Sequence, residues 1–219
     1  LYVVNIESER NALYHNNGDG TFTDVTLSTG TEDVGDGRTC AWVDFDGDGR
    51  VDLFTTNHLS PTRLYRNLGG GRFEDVAEDV GISTPIDVFA ATWGDYNGDG
   101  FIDAFLYGHL GFGLFENSGN TSNFIVLSLV GDGINTNRSA IGTRVEVRTV
   151  GGVGVREVSG GRGCCEQDML PLHFGVGGNT EADILIKWTS GTECFFPSTP
   201  VDGGRVFLVR EADCSITEL

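Results

Sequence analysis

Short runs of apolar, β-branched and aromatic residues alternate with glycine- and asparagine-rich breaks along the whole chain. Val51 to Thr56, Phe101 to Tyr107, Phe124-Ile-Val-Leu-Ser-Leu-Val130, Thr143 to Val150, Asp183-Ile-Leu-Ile-Lys-Trp188 and Arg205-Val-Phe-Leu-Val-Arg210 all read as strands. In the stretch from Thr143, Arg144, Glu146 and Arg148 alternate with Val145 and Val147, which predicts one charged face and one face toward a core. The 33 glycines supply the positive φ angles that tight turns between such strands require. The pattern predicts an all-β protein.

The first half repeats itself. Leu13-Tyr-His-Asn-Asn-Gly-Asp-Gly-Thr-Phe-Thr-Asp-Val25 aligns with Leu64-Tyr-Arg-Asn-Leu-Gly-Gly-Gly-Arg-Phe-Glu-Asp-Val76, and Trp42-Val-Asp44 with Trp93-Gly-Asp95, both at an offset of 51 residues. A third start, Leu114-Phe-Glu-Asn117, falls one residue short of register, and Leu1-Tyr-Val-Val-Asn5 matches Leu53-Phe-Thr-Thr-Asn57. A fixed period of this length built from short strands predicts propeller blades, each too small to bury its own faces, with an open stack of hairpins as the alternative. About two and a third units do not close a ring, so the chain is expected to be the C-terminal piece of a larger propeller. The polar run Asn117-Ser-Gly-Asn-Thr-Ser-Asn123 divides residues 1–121 from a second domain, residues 122–219, for which a small β-sandwich or barrel is expected.

Between the repeat motifs lie Asp44-Phe-Asp46-Gly-Asp48-Gly-Arg50-Val-Asp52 and Asp95-Tyr-Asn97-Gly-Asp99-Gly-Phe101-Ile-Asp103, both of the form D-x-[DN]-x-D-G-x-x-D. Calcium takes six to eight oxygens at about 2.3–2.6 Å. Side chains at positions 1, 3 and 5, the carbonyl of position 7 (Arg50 or Phe101) and a bidentate Asp52 or Asp103 provide six, more than tetrahedral zinc needs. The glycines let the backbone curl round an ion, and a cation relieves the repulsion among crowded carboxylates. An EF-hand would place a glutamate at position 12, where Thr55 and Leu106 stand here, so calcium loops of β-hairpins are expected, about two ions in all. The first loop is expected to bind more tightly, since Asn97 removes one charge from the second. The simpler alternative is that the Asp-Gly pairs only make turns, which is the reading for Asn16-Asn-Gly-Asp-Gly20.

Charge and cysteine content narrow the setting. Acidic residues outnumber basic ones 32 to 14, a net charge of −18, and residues 1–123 hold 20 of the acidic and six of the basic side chains. Nucleic acids and anionic membranes are therefore not expected as partners, and no stretch is long and apolar enough to span a bilayer. Cys40, Cys164, Cys165, Cys194 and Cys214 lack metal-type spacing, so disulfides in an oxidising compartment are expected, with connectivity open and an odd cysteine left over. His173 with Cys164 and Cys165 makes a thiol or metal site a weaker alternative to a disulfide and a packed histidine. Asn120 and Asn137 match the N-glycosylation pattern.

The motif Leu-Tyr-x-Asn-x-Gly-x-Gly-x-Phe-x-Asp-Val, followed by Trp-x-Asp and the acidic loop, resembles FG-GAP/VCBS repeats, the blades of integrin-type β-propellers. Residues 123 to 210 resemble the ASPIC/UnbV domain through Asn137-Arg-Ser-Ala-Ile-Gly-Thr-Arg-Val145, Gly161-Arg-Gly163, Leu172-His-Phe-Gly-Val-Gly177 and Ile186-Lys-Trp-Thr-Ser-Gly191. Trp188-Thr-Ser-Gly191 stands where that family usually has Trp-Pro-x-Gly, and Cys164-Cys165 where it has a serine-containing stretch. The resemblance implies calcium at the matched loop positions, an extracellular or periplasmic setting, and no reaction.

No nucleophile elbow, phosphate loop or metalloprotease motif is present, and the four histidines are dispersed. The expected function is therefore non-enzymatic: a secreted, calcium-stabilised protein engaging a protein or glycan partner at a cell surface or matrix. The alternative is a calcium-dependent carbohydrate-binding protein or polysaccharide lyase with Trp42 and Trp93 as sugar platforms, although their equivalent places in the repeat favour packing.

Overall fold

The computed structural model describes residues 1–7, 9–84, 87–109, 111–161 and 166–219, so Cys164, Cys165 and part of the Gly161-Arg-Gly163 motif lie outside the described residues. Among the described residues, eighteen strands form five sheets. The first sheet joins β1 (Tyr2–Val3), β2 (Ala12–Asn16) and β3 (Phe22–Asp24) and is followed by one helical turn, Thr26–Thr29. The second joins β4 (Asp36–Val43), β5 (Asp52–His58), β6 (Arg63–Gly69) and β7 (Arg72–Asp75), and the third joins β8 (Val88–Gly94), β9 (Asp103–Gly108) and β10 (Gly111–Phe115). In all three, chain neighbours pair antiparallel, the up-and-down order of a propeller blade.

Each blade is too thin to hide its own faces and packs on the next. Tyr2 and Leu13 of the first sheet meet Leu53 and Tyr65 of the second. On the second sheet's other face, Phe54 and Leu64 are buried with Trp93, Ala104 and Leu106 of the third. Phe54 stands edge-on to Trp93 with ring centroids 5.1 Å apart, and burying such a side chain contributes about 1.5–3 kcal/mol. The residues that follow Phe54 and Leu64 in the repeat, Phe105 and Leu114, are instead 41% and 51% exposed on the third sheet.

The remaining strands are β11 (Asn123–Val130), β12 (Arg144–Thr149), β13 (Gly152–Glu157), β14 (Leu172–Gly177), β15 (Glu181–Lys187), β16 (Glu193–Pro200), β17 (Arg205–Arg210) and β18 (Ser215–Glu218). They form two four-stranded sheets ordered β14-β11-β17-β18 and β13-β12-β15-β16, with β11 and β17 parallel. Their apolar faces share one core that includes Ile125, Val145, Phe174, Ile184 and Ile186, so the second half is a sandwich. Val145 and Val147 are buried, while Glu146 on the opposite face accepts hydrogen bonds from Lys187 and Arg148, both at 2.8 Å. Those bonds hold its carboxyl down at about 2. A disulfide joins Cys194 on β16 to Cys214 just before β18 and so ties one sheet to the other. The architecture is the one the sequence pattern predicts, all-β with blades ahead of a small sandwich.

Candidate metal centre

The two acidic loops are the β4–β5 and β8–β9 hairpin connections. Each runs directly into a strand at its last aspartate, which places Thr55 and Leu106 inside β5 and β9, both fully buried, and not at an EF-hand's twelfth position. Gly47 and Gly49 have φ of +70° and +89°, and Gly98 and Gly100 have +77° and +88°. Side chains rarely adopt such values, so the glycines are what let each loop coil back on its own carboxylates.

In the first loop, Asp44, Asp46 and Asp48 each bring one carboxylate oxygen within 4.8 Å of the others. Asp44 is 4% exposed; its Oδ2 accepts from the Gly49 and Gly175 amides, both at 3.1 Å, and its Oδ1 is buried with no hydrogen-bond partner. The Arg50 amide donates to Asp48 Oδ1 at 2.8 Å and its guanidinium pairs with Asp48 Oδ2. Asp52, fully buried, stands apart from the three grouped carboxylates, with Oδ2 accepting from the Phe45 amide at 3.1 Å and Oδ1 from the Asn67 amide at 2.7 Å. Each of these oxygens keeps a second lone pair.

The second loop repeats the amide bracing one period on, with both oxygens of its first aspartate partnered. Asp95 Oδ1 accepts from the Gly98 and Asp99 amides at 2.7 and 3.1 Å, and its Oδ2 accepts from Gly100 at 2.8 Å. Asp103 is braced as Asp52 is, by the amides of Tyr96 at 3.1 Å and Asn117 at 2.8 Å. Asn97 and Asp99 are exposed and bonded to one another, the Asn97 amide reaching Asp99 Oδ2 at 2.9 Å, while the Phe101 amide donates to Asp99 Oδ1 at 2.9 Å.

Burial without a counter-ion makes ionised carboxylates costly. Desolvation pushes Asp44 up to about 6; Arg156 opposes the rise, and Asp48 and Asp46 add to it. Asp52 is pushed up to about 8 by burial, against the Asn67 amide and with the charges of Asp46 and Asp44. Asp46 is raised by burial and by Asp48. The first loop is therefore an all-oxygen cluster with an unpartnered buried oxygen and a surplus of negative charge, a donor set suited to a hard divalent cation.

Two asparagines outside the predicted ligand set hold this frame. Asn67 and Asn117, the asparagines of the Leu-Tyr-x-Asn motif, donate side-chain amide protons to Val51 O at 2.9 Å and Ile102 O at 3.2 Å, just ahead of the last aspartate of each loop. Their Oδ1 atoms accept from Gly69 and Gly119 two residues on, as Asn16 accepts from Gly18. The repeated Asn-x-Gly spacing was the available signal. His58 and His109, one period apart, converge through Nδ1 on the buried Asp87 at 2.7 and 3.2 Å, and these hydrogen bonds hold that carboxyl below its ordinary value despite its burial.

The two tryptophans differ in environment. Trp93 is 5% exposed in the core between blades, whereas Trp42 is 41% exposed beside Phe73, so they do not form a matched pair of platforms. His173 is a packed histidine: it stacks on Phe124 and donates from Nε2 to Gly100 O at 2.8 Å.

Comparison with known families bears on the architecture. Residues 1–55 and 44–106 match the FG-GAP-like repeat, and residues 133–215 match the ASPIC and UnbV domain, so the chain carries FG-GAP-like propeller repeats followed by an ASPIC/UnbV domain. Over 104 residues, 46% of the chain, it is 38% identical to cartilage acidic protein 1 of Mus musculus and of Homo sapiens and 37% identical to that of Xenopus tropicalis. The aligned part is 16% of the length of these relatives.

Proposed function

We propose that the chain is a non-enzymatic, calcium-binding module of an extracellular protein, with calcium structural in both hairpin loops. The observation that carries this reading is the grouping of Asp44, Asp46 and Asp48 within 4.8 Å around a buried, unpartnered Asp44 oxygen. Calcium would offset the negative charge that Arg50 and Arg156 leave uncompensated. Asp44, Asp46, Asp48, the Arg50 carbonyl and Asp52 would hold one ion, and Asp95, Asn97, Asp99, the Phe101 carbonyl and Asp103 the other. The name of the vertebrate relatives supports a secreted, matrix or cell-surface setting. The matched families are typically non-catalytic, which favours adhesion or surface interaction with a protein or glycan partner. No helix among the described residues is long and apolar enough to cross a membrane.

Thermal unfolding in chelator and in millimolar calcium tests this reading. A ligand of the folded state present at a hundred times its Kd adds about 2.7 kcal/mol per site. A rise in Tm with calcium, reduced by Asp44→Ala or Asp95→Ala, is expected; an unchanged Tm in a folded sample would leave the loops as turns only.

A further inference from the structure

Strand β14 lies across both acidic loops. Its even residues, Leu172, Phe174 and Val176, are buried in the sandwich core, while its odd residues, His173, Gly175 and Gly177, meet the blades. β14 is also the edge of its sheet, where amides are left without a strand partner. The first loop receives two of them: Gly175 N–H goes to Asp44 Oδ2 at 3.1 Å, and Gly177 N–H to Gly47 O at 3.1 Å. The second loop is reached by His173, whose Nε2 donates to Gly100 O at 2.8 Å.

At Gly175 and Gly100 the packing leaves no room for a side chain. A Cβ on Gly175 would lie 2.4 Å from the Gly47 carbonyl carbon and 2.5 Å from Asp44 Oδ2, and one on Gly100 would lie 1.8 Å from the Phe124 ring. Asp44 therefore serves two structures through one carboxylate: it closes its own loop through Gly49 and clasps the sandwich through Gly175. A second contact between blades and sandwich does not use the loops. The edge-strand amides of Ala91 and Trp93 donate to Glu166 and Asp168, both at 2.9 Å.

We propose that β14 is a calcium-dependent docking strand: the cation that orders the two loops also seats the sandwich on the blades, so ion binding and domain docking are one coupled equilibrium. This rests on the calcium reading above. The three grouped carboxylates of the ion-free first loop repel one another, and spreading of the loop withdraws Asp44 and Gly47 from the β14 edge. The Glu166 and Asp168 contacts remain, so the sandwich loosens at β14 without leaving the blades.

Hydrogen exchange of the whole chain, read by mass spectrometry with calcium binding followed in parallel by calorimetry, tests the coupling. Peptides covering residues 172–178 are expected to exchange at least about tenfold faster in chelator than in calcium, while those covering residues 90–94 change little. By reciprocity, Gly175→Ala lowers calcium affinity about tenfold, and His173→Ala, a milder change, lowers that of the second loop. Calcium binding with unchanged exchange over 172–178 would overturn the coupling and leave the calcium reading standing. No calcium binding at all would overturn both.

Discussion

Replacing Asp44 by asparagine separates what that residue contributes with and without an ion, and the sign of the effect reverses between the two. Asparagine keeps an oxygen to accept from Gly49 and Gly175, and its amide can donate to the neighbouring Asp46 and Asp48 carboxylates. What is removed is the charge. In the ion-free protein, burial raises the Asp44 carboxyl from 3.8 to about 6. A carboxyl raised on folding is penalised only when ionised, so the penalty is absent below about pH 4, grows as the pH climbs through the folded value, and is complete by about pH 8. Its full size is about 3 kcal/mol at 1.36 kcal/mol per pH unit. In chelator at pH 8, Asp44→Asn is therefore expected to stabilise the chain by about 3 kcal/mol in urea unfolding, with the gain vanishing toward pH 4. In millimolar calcium the same substitution destabilises, because the ion loses a charged ligand. A variant less stable than the parent in chelator at pH 8, or a gap that does not close toward pH 4, would refute the reasoning.

Asn67→Ala removes the bonds to Val51 O and from Gly69 and is expected to cost about 1–3 kcal/mol in urea unfolding, while weakening calcium binding at the first loop more than at the second. Reduction of the Cys194–Cys214 disulfide, which closes a separation of 20 residues, is expected to cost about 3 kcal/mol, read as a shift in the chemical-denaturation midpoint with and without reductant. Asp46→Ala is expected to lower total calcium affinity more than Asn97→Ala, since Asp46 is charged and half-buried whereas Asn97 is neutral and exposed; titration calorimetry of both variants decides it.

Local structure was legible in the residues themselves. The strands of the first half, the hairpin setting of both acidic loops and the half-buried strand around Val145 follow from alternation, glycine placement and the 51-residue offset, all of which act over a few residues or repeat in register. Partnerships between distant segments were not legible. Nothing in Leu172-His-Phe-Gly-Val-Gly177 announces that Gly175 meets Asp44, because that contact exists only once an edge strand of one domain is laid against a hairpin of another. The convergence of His58 and His109 on Asp87 has the same origin, since equivalent repeat positions become neighbours only when blades stack. Trp42 and Trp93 occupy the same repeat position, yet Trp93 is covered by Phe54 of the adjoining blade and Trp42 is not, so burial follows the neighbour and not the motif. Cysteine pairing likewise depends on which strands the sandwich brings together at Cys194 and Cys214.

On the proposed reading each of the paired hairpin loops holds one calcium ion. Titration calorimetry of the chelator-stripped chain, with Asp44→Ala and Asp95→Ala measured beside it, tests this most directly. About two calcium ions bound per chain, with one lost in each variant, is expected. A folded chain that takes up no calcium, or binding that both substitutions leave intact, would contradict it.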